Sequence, residues 1–156
     1  QLPTFLQRSL EFPYTSGARF IRQVRAAGGE AAVDRAFANP PKSTLAIMKP
    51  GIWLTGNDTP RAVALPAAPA GAQRTLNTTF GAADIWALVG DQEVAGTWRG
   101  GRIAVDRQGD RATMILVIAS VRTGPLVAAL RRSLPADTVV SSAKGIVTAT
   151  RSATLG

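Results

Sequence analysis

The sequence contains no cysteine and no histidine. Without them the chain cannot form a thiolate- or histidine-ligated zinc site, a cysteine nucleophile, or the usual general base for a serine nucleophile. Its ten acidic residues leave open only carboxylate chemistry and oxygen-ligated cations. The apolar runs are short, and none reaches the roughly 20 residues that cross a bilayer. We therefore expect a chain that is not an enzyme by itself, with no cofactor, no metal and no transmembrane segment.

What the sequence does contain is apolar surface and positive charge. Of its 156 residues, 46% are hydrophobic, which suits a packed core and excludes disorder over the whole length. Lysine and arginine number 18 against 10 acidic residues, a net charge of +8, and 15 of the 18 are arginine. A surplus of this kind favours acidic partners over neutral ones.

Residues 1–50 have a helical pattern. We expect Pro13 to interrupt a first helix, and Ser16 to cap a second one that ends at Gly28-Gly29. A third helix should follow with Val33 and Phe37 facing inward, and Ser43 or Thr44 should open another turn.

Residues 51–72 are rich in proline and alanine, which indicates an extended linker or a strap over the surface. Residues 73–156 mix a helix ending at Gly90, strands around 102–107 and 111–121, a helix over 126–134, and two closing strands. The sequence thus predicts an α+β fold: a helical segment, a linker, and a small antiparallel sheet with helices.

The N-terminal third resembles a downstream segment of a known bacterial family. The matching residues are Phe12-Pro13-Tyr14, Gly17, Phe20, Gly28-Gly29, Val33, Phe37, Pro40-Pro41, Ser43-Thr44, Ile47 and Pro50. The family consists of large envelope-associated proteins regarded as zinc metallopeptidases, with an HExxH helix further upstream. Its usual glutamate and histidine in the second phrase are Leu45 and Lys49 here, and Gly96–Arg102 resembles a later "GWGGDR" phrase without its aspartate.

This resemblance implies a secreted or cell-envelope protein of bacterial type. The chain begins at Gln1 with no basic-then-apolar leader, which we interpret as a processed product. Because the metal-binding helix is absent, the resemblance favours a non-catalytic binding or accessory protein. One alternative is a fragment of an active zinc metallopeptidase whose HExxH half is missing. The other, suggested by the net charge, is a basic module that binds nucleic acid or another anionic polymer.

Arginine supplies the candidate binding residues. We expect them to contact a protein partner or an acidic envelope polymer; nucleic acid is disfavoured, because no recognised motif or aromatic stacking platform accompanies them. The predicted site residues are Arg19, Arg22, Arg25, Arg99, Arg102, Arg131 and Arg132.

Two further patterns have competing interpretations. The glycine-rich run Gly96–Arg102 could cradle a phosphate, but it precedes a strand, so a tight turn is favoured. The carboxylates of Asp106 and Asp110, or of Asp91 and Glu93, could hold a weakly bound cation, but solvated turns are favoured.

Overall fold

The computed structural model describes residues 2–156 and confirms the predicted α+β fold class. The helices are α1 (Thr4–Phe12), α2 (Ala18–Ala38), α3 (Thr44–Met48), α4 (Pro50–Leu54), α5 (Ala82–Val89), α6 (Gln92–Ala95) and α7 (Thr123–Ser133). The strands are β1 (Gln73–Thr79), β2 (Trp98–Gln108), β3 (Arg111–Ser120), β4 (Val139–Ala143) and β5 (Ile146–Thr154).

The chain forms two compact units. The first comprises the chain up to Pro60 together with Ala82–Gly96, and the second comprises Arg61–Gly81 together with Thr97–Gly156. The predicted boundaries, after residues 50 and 72, do not coincide with the edges of these units. Helix α5 groups with the N-terminal helices, and the second half of the predicted linker groups with the sheet.

The first helix does not end at Pro13. A π-helical turn, Pro13–Gly17, joins α1 to α2, so the expected interruption and the expected cap at Ser16 are both wrong. Proline already has the φ of a helix, and the π-helical turn that begins at Pro13 has wider i→i+5 bonding, which accommodates the missing N–H. Gly17 also keeps helical angles, which leaves no extended residue to cap.

A break does occur at Gly28-Gly29, where the backbone leaves helical angles and Gly29 adopts a φ of +64°. The following turn buries Ala32, Val33 and Ala36. Phe37 is 76% exposed, so its predicted inward position is wrong. Since Val33 and Ala36 already define the buried side of this turn, the next residue along the helix points away from it.

The core of the first unit lies along α2. Phe20, Val24, Ala32, Val33 and Ala36 are buried there, with Ile21, Ile47 and Trp53 packed against them. Of the two residues expected to open α3, Ser43 is the cap, since its hydroxyl accepts from the Ala46 N–H at 3.2 Å.

The second unit is a five-stranded antiparallel sheet in the order β1-β2-β3-β5-β4. Helix α7 packs near β4 and β5 and buries Leu126, Ala129 and Leu130. On the other face, Ala104, Ile115 and Val117 form a second core that Val63 and Leu65 cover. We call residues 61–66, which lie over this face, the strap. Strand β1 was not predicted, because its sequence is polar and six of its seven residues are exposed.

Residues 98–102 of the glycine-rich run belong to strand β2, where two glycines bring backbones into close contact. A Cβ on Gly100 would overlap the Arg61 carbonyl of the strap, and one on Gly101 would overlap the Phe80 carbonyl. Trp98 is buried, and its indole Nε1 donates to the Phe80 carbonyl at 2.9 Å. A turn does precede the strand, at Gly96 and Thr97, but the strand begins at Trp98, earlier than expected, so most of the run is strand and not turn.

Candidate functional site

The predicted arginines of the first unit have different surroundings. Arg19 is half-buried and donates from Nη2 to the Met48 carbonyl at 3.0 Å, which holds the end of α3. Arg25 pairs with Glu30 at 2.6 Å, an exposed contact in which the hydrogen bond and charge of the glutamate raise the pKa of Arg25. Arg22 is exposed, and its side chain makes no hydrogen bond or ion pair with residues 2–156. Their three-residue spacing does not produce one uniform cationic face.

The predicted arginines of the second unit lie on both faces of the sheet. Arg102 lies on the same face of the sheet as Ala104, the face that the strap covers. Helix α7, which has Arg131 and Arg132 in its last turn, packs on the opposite face. Arg131 donates to the Val140 carbonyl at 3.0 Å.

Arg99 on β2 is exposed and donates to the Trp98 carbonyl at 2.6 Å. Arg102 donates from both Nε and Nη2 to the side-chain oxygen of Asn77. The structure does not bring these four arginines of the second unit together into one site.

Two of the four carboxylates considered as cation ligands, Asp91 and Asp106, have structural partners. Asp91 caps α6 by accepting from the N–H groups of Glu93 and Val94. Asp106 is 3% exposed, so the solvated position that we expected is wrong. Arg74 donates to both of its oxygens, at 2.7 and 2.9 Å, and these hydrogen bonds lower the pKa of Asp106 despite its burial.

A groove of about 380 Å³ opens in the first unit, where the end of α2 meets the end of α4. The residues that give it its chemistry are Arg35, Asn39, Lys42, Trp53, Leu54 and Asp58. We call it the α2–α4 groove. None of the predicted site residues lines this groove.

A buried aspartate fixes one wall of this groove. Asp58 accepts from the Ser43 hydroxyl at 2.6 Å and from the N–H groups of Lys42 and Ser43. Its oxygens are therefore occupied by three donors from the turn that begins α3. This geometry holds the Lys42 backbone in place and leaves the Lys42 side chain exposed.

An aromatic ring fixes the other wall. Trp53 is half-buried and packs edge-on against Phe20, with ring centroids 5.8 Å apart and an interplanar angle of 74°. Its indole Nε1 donates to the Asn39 carbonyl at 3.0 Å. With both contacts made, the ring is a rigid apolar surface for a ligand.

Positive charge dominates the mouth of the α2–α4 groove. The side chains of Arg35 and Lys42 are exposed, and neither makes a hydrogen bond or ion pair within the described part of the chain. Asp58 is the one acidic lining residue, and it is buried with its oxygens already bonded. The arrangement can bind an anionic group beside an apolar one.

The sequence singles out Pro40-Pro41 and Ser43-Thr44, but no local pattern connects them to Arg35 or Trp53. The signal that could have done so is Asp58, a lone acidic residue in a proline-flanked segment after Trp53. Its bonding partners come from a turn 15 and 16 residues earlier, which sequence spacing alone does not reveal.

No family model, curated protein or solved structure matches this chain. Among residues 2–156, no three acidic residues cluster in a way that could hold a metal ion. No helix in the same residues combines the length and the apolar character needed to span a membrane.

Proposed function

We propose that the chain is a non-catalytic binding protein, and that its partner is an acidic segment of another protein that occupies the α2–α4 groove. The observation that carries this proposal is the pairing of two exposed, unpartnered cations, Arg35 and Lys42, with the fixed ring of Trp53. A carboxylate would bind the cations, and an adjacent apolar side chain would cover Trp53 and Leu54.

Energetic reasoning favours a protein segment over a bare anion. Exposed ion pairs contribute only about 0–1 kcal/mol each, so two cations alone give weak binding. Buried aromatic anchors supply most of the binding energy in protein interfaces, and the rigid Trp53 ring has the geometry for that role. The proposed ligand therefore combines a carboxylate with a neighbouring aliphatic or aromatic side chain.

We also propose that the protein acts outside the cell or at the cell envelope. The support is the resemblance of phrases such as Phe12-Pro13-Tyr14 and Pro40-Pro41 to envelope-associated proteins. An export-reporter fusion of the complete reading frame tests this location. An HExxH helix encoded upstream would favour the alternative of a metallopeptidase fragment.

Peptide titration tests the groove. The probes are blocked eight-residue peptides in which a central glutamate is next to leucine, with glutamine in place of glutamate as the control peptide. We expect Arg35→Gln and Lys42→Gln each to weaken binding of the glutamate peptide about two- to fivefold. Neither substitution should disturb the fold, because neither side chain has a partner in the described residues.

Arg132→Gln is the matched control, because it removes one exposed positive charge outside the groove. Equal weakening by Arg132→Gln and Arg35→Gln would show that net charge, and not the groove, attracts the peptide. Duplex DNA at low and moderate salt is the third probe. Tighter binding to DNA than to any peptide would overturn the proposal in favour of a basic module for anionic polymers.

A further inference from the structure

Strand β1 is an open edge of the sheet in the second unit. Six of its seven residues are exposed, and Arg74, which turns inward to Asp106, is the exception. A register shift between Arg74 and Leu76 blunts the first part of the edge. The four residues that follow, Leu76 to Thr79, pair regularly with β2 and contain no proline, lysine or other charge.

The hydrogen-bonding direction of this edge follows from one contact. The Phe80 N–H donates to the Gly101 carbonyl at 3.0 Å, so the residues at alternate positions, Thr78 and Leu76, also bond to β2. The backbone groups of Asn77 and Thr79 therefore point away from the sheet. They provide an N–H and a carbonyl each for another strand.

The opposite edge is less open. Strand β4 has five residues, and the carbonyl of Val140 already accepts from Arg131. Arg131, predicted as a binding residue, thus occupies part of that edge. Strand addition is favoured at β1.

The two faces next to β1 differ in chemistry. On one face Leu76, 41% exposed, pairs with Val105, which lines an apolar groove of about 230 Å³ with Met114 and Leu134. On the other face the Arg102 guanidinium reaches β1 and bonds the neutral Asn77 side chain. Its positive charge is therefore available at the edge, on the side of the sheet opposite Leu76.

We propose that β1 receives an extended segment of another protein as a sixth strand, with apolar and acidic residues alternating along it. The apolar side chains would extend the surface of Leu76 and Val105. An acidic side chain opposite Asn77 would lie within reach of Arg102, because adjacent strands are about 4.8 Å apart. This site lies outside the α2–α4 groove, and its test is independent of the function proposed above.

The positive charge of Arg102 favours a strand from another protein over a second copy of this chain as the occupant of the β1 edge. Pairing β1 with β1 of a second copy would place two Arg102 guanidiniums at one interface with no acidic residue in Leu76–Thr79 to neutralise them. Like charges across neighbouring strands are destabilising, whereas an acidic strand compensates the charge.

The test uses the full chain and a blocked seven-residue peptide of alternating valine and glutamate. Thr79→Pro removes one outward N–H without removing a bond to β2, and Thr79→Val is the matched control that keeps that N–H. We expect Thr79→Pro to weaken binding about tenfold and Thr79→Val to leave it unchanged. Replacing the central glutamate with glutamine should weaken binding to the wild-type chain about two- to fivefold, and not weaken binding to Arg102→Gln.

Amide hydrogen exchange gives a second readout that does not depend on the folding of a variant. Saturating peptide should slow the exchange of the Asn77 and Thr79 amides. Protection of β4 amides instead, or equal binding by Thr79→Pro and Thr79→Val, would overturn the proposal. Concentration-dependent dimerisation that Thr79→Pro abolishes would also overturn it, because the strand at the edge would then be a second copy.

Discussion

Gly100→Ala should detach the strap from the sheet. The new Cβ would overlap the Arg61 carbonyl, which is backbone and cannot rotate away as a flexible side chain could. The Arg61 N–H donates to the Arg99 carbonyl at 2.6 Å, and losing that bond costs about 1 kcal/mol. Val63 and Leu65, both half-buried, would lose their contacts with Ala104 and Val117, a further cost of about 1–3 kcal/mol together. We expect the free energy of unfolding to fall by about 2–4 kcal/mol.

Equilibrium denaturation followed by circular dichroism measures this fall. Gly17→Ala is the matched control, since Gly17 has helical backbone angles, open space around it and no proline after it. That substitution should leave the unfolding free energy unchanged or raise it by up to about 1 kcal/mol. If Gly100→Ala stays within about 0.5 kcal/mol of the wild type, the strap is not held by this close contact.

Three further predictions concern charge, metal content and chain cleavage. The Arg74 hydrogen bonds lower the pKa of Asp106 in the folded chain. Because the carboxylate of Asp106 binds a proton more readily when the chain is unfolded, the free energy of unfolding falls as the pH drops below the usual carboxyl range. Denaturation from about pH 3 to pH 7 should show a shallower dependence for Asp106→Asn. The dialysed chain should carry no tightly bound zinc, since it lacks histidine and cysteine; one equivalent by metal analysis would contradict this. Limited proteolysis should cut first within Pro60–Ala70, which has no helix or strand, and a first cut inside β3 would refute that expectation.

The parts of the fold that the sequence predicts well are those with strong apolar periodicity. Strand β3 and helix α7 were anticipated, because alternating or helically spaced apolar residues record which side faces the core. Strand β1 was not predicted, because an exposed edge strand can pair its backbone without an alternating apolar pattern. The interruption expected at Pro13 was wrong for a different reason. Proline disrupts the interior of an α-helix, but the π-helical turn at this point accommodates it.

The candidate sites were harder to predict than the fold. The α2–α4 groove depends on Arg35, Lys42 and Trp53 coming from three separate segments, held by the contacts of Asp58. Asp106 was expected in solvent because it precedes a turn, yet its partner Arg74 lies 32 residues away on an unpredicted strand. Contacts between distant residues, absent from local patterns, set the position of each of these groups.

The division of the chain into two units also bears on how such a protein could change by gene recombination. The backbone passes from one unit to the other after Pro60, after Gly81 and again after Gly96. A single crossover anywhere in the gene therefore cannot exchange one unit while keeping the other whole. Removal of residues 1–72 would leave α5 and α6 without the N-terminal helices of their own unit. One crossover can transfer the pair together, but exchange of a single intact unit needs several crossovers, one at each passage of the backbone between the units.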